Sequence, residues 1–103
     1  MRPVMHGDVV AVARVLYALP DVSRPGALKR LMCKAGWADA FRRRTGRAHP
    51  VWGDGSLMTA ALAATPPPEP KLDDPVYCAC LAMVFEGLVA ELSGARRVNP
   101  ARS

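Results

Sequence analysis

The sequence predicts an all-α protein, a compact bundle of about four helices with a proline-rich strap before the last helix. Two observations carry this. Apolar residues recur at three- and four-residue steps, and helix-start and helix-stop residues bracket each such stretch. Half of the residues are hydrophobic while only 6% are aromatic, so the core is made of Leu, Val, Met and Ala. That composition suits closely packed helices better than a pleated sheet. At 103 residues the chain can close one modest core without metal or disulfides. Residues 1–94 are expected to form a single helical domain and residues 95–103 a basic flexible tail.

The first helix is expected to begin at Asp8, whose carboxylate can cap the free N–H groups of a helix start. Val9, Val12, Ala13, Leu16 and Leu19 follow on one face, thickened by Val10 and Tyr17, and Pro20 ends the run. A helix this apolar must be covered, by its own chain or by another copy. The second helix runs over residues 24–44, with Ser23 as its cap and Pro25 in its first turn. Leu28, Leu31, Met32, Ala35 and Ala38 form its core face, Trp37 and Phe41 an i,i+4 aromatic pair, and Thr45-Gly46 its stop.

A Pro-, Gly- and Asp-punctuated hinge follows, and Asp54 or Ser56 can cap a short third helix over residues 57–64. Residues 66–75 hold five prolines and read as an extended strap of polyproline character. Asp73 and Asp74 before Pro75 start the fourth helix, residues 76–92, which presents Val76, Cys80, Val84, Leu88 and Leu92 and is closed by Gly94. Gly87 inside that helix costs about 1 kcal/mol relative to alanine. A close helix crossing there would account for it, and a tolerated defect does so just as economically.

The longest uncharged stretch of the fourth helix, residues 76–85, is ten residues long, against the roughly 20 that a bilayer crossing needs. The start lacks a clean signal-peptide pattern, because Asp8 and Arg14 interrupt its apolar run. A cytoplasmic location without membrane contact is expected. Cys33, Cys78 and Cys80 are an odd number, so they form no complete disulfide framework and read as structural thiols. Cys78 and Cys80 sit two apart on a helix, and neither His6 nor His49 stands at ligand spacing from them, so no metal site is expected. No Ser–His–Asp or paired-carboxylate arrangement is recognisable. The expectation is a protein without catalytic residues, metal or cofactor.

Charge is unevenly spread. Residues 1–51 carry ten basic and three acidic groups, whereas residues 52–94 carry one basic and six acidic. Such asymmetry points to nucleic acid, to an acidic partner or to head-to-tail self-association, and equally to two halves that neutralise each other. The densest charge is Arg42, Arg43, Arg44 and Arg47. Four forked guanidinium groups can hold phosphates, and Trp52 can stack on a base or sugar. Equally, cations at a helix C-terminus are favoured by the dipole, and Asp39 can pair with Arg43 one turn on. Residues 53–56, Gly-Asp-Gly-Ser, lack the lysine of a phosphate loop and read as a turn and helix cap. The first two helices have helix-turn-helix spacing, but the second offers few side chains for reading base edges. Any DNA contact is therefore expected to lack sequence specificity.

The segment RRRTGRAHPVWGDGSLMTAAL, residues 42–62, and the later LDDPVYCACLAMV resemble short uncharacterised alphaproteobacterial proteins. Some of those belong to phage-derived gene transfer agent clusters. The resemblance implies a small terminase, the oligomeric adaptor that delivers DNA to the packaging motor, with itself, the large terminase and DNA as partners. This chain departs from that pattern in having no clear recognition helix, and the resemblance transfers no individual binding residue. The expected function is a non-enzymatic, homo-oligomeric helical adaptor with nonspecific DNA contact. The alternative is a regulatory module that docks a protein partner through its acidic rear half and proline strap.

Overall fold

The structure, a computed structural model, describes the backbone of residues 1–101 and the side chains of residues 1–94. Among the described residues it is all-α and has no strand: α1 (His6–Tyr17), a 3₁₀ turn (Asp21–Ser23), α2 (Arg24–Thr45), α3 (Leu57–Leu62) and α4 (Pro75–Ala101). The expected four-helix bundle with a strap before its last helix is the fold observed.

The first helix is the centre of the molecule. Val12, Ala13 and Leu16 are fully buried, with Val9, Ala11 and Val15 close behind. Its apolar girth is covered within the chain, because α4, α3 and α2 all pack on it. From α4 come Tyr77, Cys80, Val84 and Leu88, from α3 Leu57, Ala60 and Ala61, and from α2 Ala27, Leu28, Leu31 and Ala35. Alanine is frequent on the facing surfaces of α1, α2 and α3, which lets those helix backbones approach closely.

Asp8 is not the cap of α1, contrary to the sequence expectation. The helix starts two residues earlier, at His6, and Asp8 lies in its first turn, buried. Its carboxylate accepts the Met5 N–H (2.7 Å) at the start of α1 and the Met58 N–H (2.8 Å) in the first turn of α3. One side chain thus satisfies orphan donors of two helices and sits at the positive end of both dipoles. Gly7 lies beside this contact, and a Cβ there would require the flexible end of the Met58 side chain, 2.6 Å away, to shift.

Other boundaries follow local chemistry. Ser23 stands at the cap position of α2, but its hydroxyl makes no capping bond. Arg24 beside it instead donates to the Leu16 carbonyl (2.9 Å) at the end of α1. The third helix stops at Leu62 rather than residue 64, because Thr65 takes a left-handed φ of 47° and Pro66 disfavours helix at the residue before it. Gly46 ends α2 as expected, with φ 74°.

Asp74 opens α4, accepting the Val76 (2.9 Å) and Tyr77 (3.3 Å) N–H groups. The core line of α4 is Tyr77, Cys80, Val84 and Leu88, whereas Val76, Phe85 and Leu92 are exposed. Sequence periodicity misplaces the line because the large Tyr77 takes its first position. The 12 residues of α1 span about 18 Å, roughly the length from Tyr77 to Leu88 at 1.5 Å per residue, so Leu92 runs past this cover. Gly87 lies at a helix crossing, where a Cβ would come within 2.8 Å of Leu28 on α2. The helix also continues past Gly94, the expected stop, to Ala101. The expected loose tail, 95–103, falls on residues whose side chains lie outside those described. By length and composition Pro75–Gly94 is also long and apolar enough to cross a membrane, since Glu86 and Glu91 are its only charges. The uncharged-run criterion overlooks this.

The strap is tied to the bundle at both ends. Arg14 Nε donates to the Pro67 carbonyl (2.7 Å), and the Tyr77 hydroxyl donates to Glu69 (2.8 Å). Tyr17 meets Tyr77 edge-on at 6.0 Å and donates to Asp74 (2.6 Å). Burial, and then the Glu69 hydrogen bond, push the Tyr77 hydroxyl up to about 12. The Tyr17 hydrogen bond holds the Asp74 carboxyl below its ordinary value despite some desolvation.

Asp8→Ala should therefore remove a hydrogen-bond acceptor from the starts of two helices at once. At roughly 1 kcal/mol per lost hydrogen bond, we expect a loss of about 2 kcal/mol and a fall in Tm of roughly 10 °C, measured by circular dichroism. A change below about 0.5 kcal/mol, the scale of a neutral surface substitution, would show that the carboxylate does not join the helices.

Candidate nucleic-acid interface

The basic cluster begins on the last turn of α2. Arg42, Arg43 and Arg44 occupy that turn, where a helix C-terminus favours cations. The chain then reverses through Gly46, and residues 49–53 form a tight antiparallel turn. In it His49 N–H donates to the Gly53 carbonyl (2.7 Å) and Gly53 N–H to the His49 carbonyl (3.1 Å). His49 Nδ1 accepts both the Val51 and Trp52 N–H groups at 3.0 Å, so the imidazole hydrogen is carried on Nε2.

This turn folds back along α2 and places four rings together. Trp52 stacks on His49 at 4.4 Å with 9° between planes. Trp37 meets Trp52 at 5.3 Å, and Phe41 meets His49 edge-on at 5.0 Å. Trp37 and Phe41 each contact a ring of the turn, rather than forming the pair with one another that their spacing suggests. Trp37 remains 57% exposed. Trp37, Ala40, Phe41, Arg44, His49 and Trp52 line an open depression of about 420 Å³.

The four arginines separate into two pairs. Arg42 and Arg43 donate to opposite oxygens of Asp39, at 3.0 and 2.9 Å. Asp39 is buried and also faces the Met1 amino group at 3.7 Å. Burial pushes its carboxyl up, but the Arg42 hydrogen bond with the Arg43 and amino-group charges outweighs this and holds it below its ordinary value. Arg43 is otherwise solvent-facing, which screens its share. Arg44 and Arg47 are exposed and make no ion pair among the described residues.

Behind the cluster, residues 53–56 act as the turn and cap that their sequence suggests. Ser56 Oγ accepts the Thr59 N–H (3.2 Å), and Asp54 accepts the Ser56 N–H (3.0 Å) and the Thr59 hydroxyl (3.1 Å). The Ser56 hydrogen bonds lower the Asp54 carboxyl, with Thr59 and Arg2 adding to them against some desolvation. Gly55, at φ 97°, lies so close to α2 that a Cβ would sit 2.6 Å from Asp39 Cα. The Gly55 carbonyl accepts the Arg2 N–H (2.8 Å), and Arg2 also pairs with Asp54 at 3.1 Å.

The model of a domain of unknown function, DUF7742, matches residues 2–88. The chain belongs to this family. No curated protein and no solved structure matches it. The DUF7742 match takes in α1 to α3, the arginine cluster, the hinge, the strap and α4 as far as Leu88.

Of the residues singled out in the sequence of this DUF7742 chain, Arg44 and Trp52 line one depression, Arg47 is exposed nearby in sequence, and Arg42 and Arg43 turn to Asp39. Sequence reasoning missed Asp39 as a two-arginine acceptor, although i,i+3 spacing to Arg42 was there to read. It also missed the approach of Trp37 to Trp52, which only the hinge fold creates.

Replacing Asp39 by Asn removes the counter-charge of a half-buried guanidinium, and we expect a loss of about 1–3 kcal/mol. The lowered Asp39 carboxyl contributes stability that is present above its unfolded value, about 3.9, and is lost as pH falls through the lower folded value. Denaturant unfolding of Asp39→Asn should accordingly lack part of the wild-type acid loss below about pH 4. Identical pH profiles would show that the pairing carries no net stability.

Proposed function

We propose that this chain is a non-enzymatic, self-associating helical adaptor that acts with DNA. In this reading it is the small-terminase-like component of a phage-type, gene transfer agent DNA-packaging system. It works in the cytoplasm, beside a large terminase, and contacts the DNA backbone without reading sequence. The observation that carries the DNA part is the division among the arginines. Asp39 engages Arg42 and Arg43, while Arg44 borders an open aromatic depression and Arg47 stands exposed in the next turn of chain.

Guanidinium groups beside an exposed ring, that of Trp37, match what nucleic-acid backbones and unstacked bases require. The turn after α2 offers no carboxylate to neutralise Arg44 and Arg47, because Asp54 faces Arg2 and the α3 cap. The protein-docking alternative relies on the strap. Its Pro67 carbonyl and Glu69 carboxylate are already engaged by α1 and α4, which disfavours the strap as an open recognition segment.

Fluorescence anisotropy with unrelated duplexes at about 50 and 200 mM salt tests this. Binding should weaken steeply with salt and equally for every sequence. The Arg44→Gln/Arg47→Gln variant should keep its helical content and Tm while the slope of log K on log salt falls by about 2. Absence of wild-type binding at about 50 mM salt would remove DNA from the reading. Capture of duplex undiminished by the double substitution would place any DNA contact elsewhere.

A further inference from the structure

Two further surfaces fit one another, one of them sharing Trp37 with the arginine site. Along α4 the exposed residues Cys78, Ala82, Phe85, Val89 and Leu92 follow one another at steps of four and three. This is the spacing by which one helix seats along another. Phe85 is 50% exposed, Val89 64% and Leu92 54%, well beyond the isolated apolar residues common on surfaces. The stripe lies about a third of a turn around α4 from the core line Tyr77, Cys80, Val84 and Leu88, at about 100° per residue.

On α2 an open groove of about 450 Å³ is lined by Gly26, Lys29, Arg30, Cys33, Lys34 and Trp37. Gly26, Arg30, Cys33 and Trp37 repeat the same four-and-three spacing on the side of α2 opposite Leu28 and Ala35. The contact between α2 and α4 is made at Leu28, Met32 and Gly87, so stripe and groove face different directions and do not meet within one molecule. Their charges are opposite. Glu86 borders the stripe on α4, whereas the groove carries three cations, Lys29, Arg30 and Lys34, and no acid. None of these four side chains forms an ion pair among the described residues.

Symmetry selects the mode of contact. Phe85 is the midpoint of the stripe, so a two-fold antiparallel pairing of stripes would bring the Glu86 carboxylates of both copies together. Parallel in-register pairing would leave the two Glu86 carboxylates on opposite flanks of the contact, with no base from residues 75–94 facing either. Pairing with the groove sets acid against base instead, the arrangement that favours one register and disfavours others.

We propose that the α4 stripe of one copy seats in the α2 groove of the next. Such a heterologous contact propagates head to tail and closes into a ring if its rotation permits, or extends if it does not. The proposal rests on the self-associating part of the adaptor reading and adds the two faces through which copies meet.

Size-exclusion chromatography with light scattering on the full chain tests it with two substitutions at exposed positions, Phe85→Asp in the stripe and Cys33→Glu in the groove. Wild type should assemble with rising concentration, and each variant alone should be monomeric with unchanged helical content. An equimolar mixture should form a 1:1 dimer and nothing larger, because one intact stripe and one intact groove remain. If Cys33→Glu alters the fold, Arg30→Glu serves in its place, and a Glu86→Lys copy should restore its association. Four results would overturn the proposal: a Cys33→Glu chain that assembles like wild type, a mixture without dimer, a wild type monomeric at every concentration, or a monomeric wild type that floats with anionic lipid vesicles through Phe85. Only the two monomeric wild-type results also remove self-association from the adaptor reading. Duplex binding by the two monomeric variants reports separately on its DNA part.

Discussion

The basic end of the molecule depends on one close approach, that of Gly55 to the backbone of Asp39. Only a residue without a side chain, at a φ of 97°, can occupy that position. Once it does, the hinge is laid along α2 and the Asp39 carboxylate is shut away from water. A buried carboxylate must find donors, and Arg42 and Arg43, three and four residues on, are the ones within reach. The same placement carries His49 and Trp52 onto the outward side of α2. The division of the arginines into an inward and an outward pair is thus a consequence of a glycine in the next segment.

Much of the architecture was legible in the sequence because it is local. The Gly46 stop, the Ser56 cap and the Asp74 start of α4 each depend on residues within a few positions of one another. Gly87 was legible only as a choice between a close crossing and a tolerated defect, which the approach of Leu28 decides. What escaped was set by distant partners. The sequence suggests only a simple cap at Asp8, because nothing nearby reveals that Met58, 50 residues away, supplies its second donor. Tyr77 was passed over as a core residue because its partners Glu69 and Tyr17 come from the strap and from α1. At the candidate site the sequence shows which cations are clustered, but not which of them the fold engages, since that depends on how deeply Asp39 is covered.

The opposite end of the bundle is organised by hydroxyl groups rather than ion pairs. Tyr17 and Tyr77 stand edge to edge, and each donates to a carboxylate of the segment leading into α4. Five prolines limit the conformations open to that segment, so few hydrogen bonds suffice to fix its course. Arg14, one of the few charges on α1, is directed outward to the Pro67 carbonyl and leaves the apolar circumference of the helix unbroken. Asp54, Glu69 and Asp74 of the acidic half thus serve as caps and tyrosine acceptors, whereas Arg44 and Arg47 of the basic half face solvent.

The central position of α1 has a consequence for how the chain is made. Its covers are α2, α3 and α4, and the last of these begins 58 residues after Tyr17. At roughly 5–20 residues per second, several seconds separate the synthesis of the most apolar helix from that of its final partner. During that interval the α1 surface destined for Tyr77, Cys80, Val84 and Leu88 has no native occupant. The nascent chain is thus most vulnerable to misassociation before α4 is made, and completion of α4 is the event that seals the core.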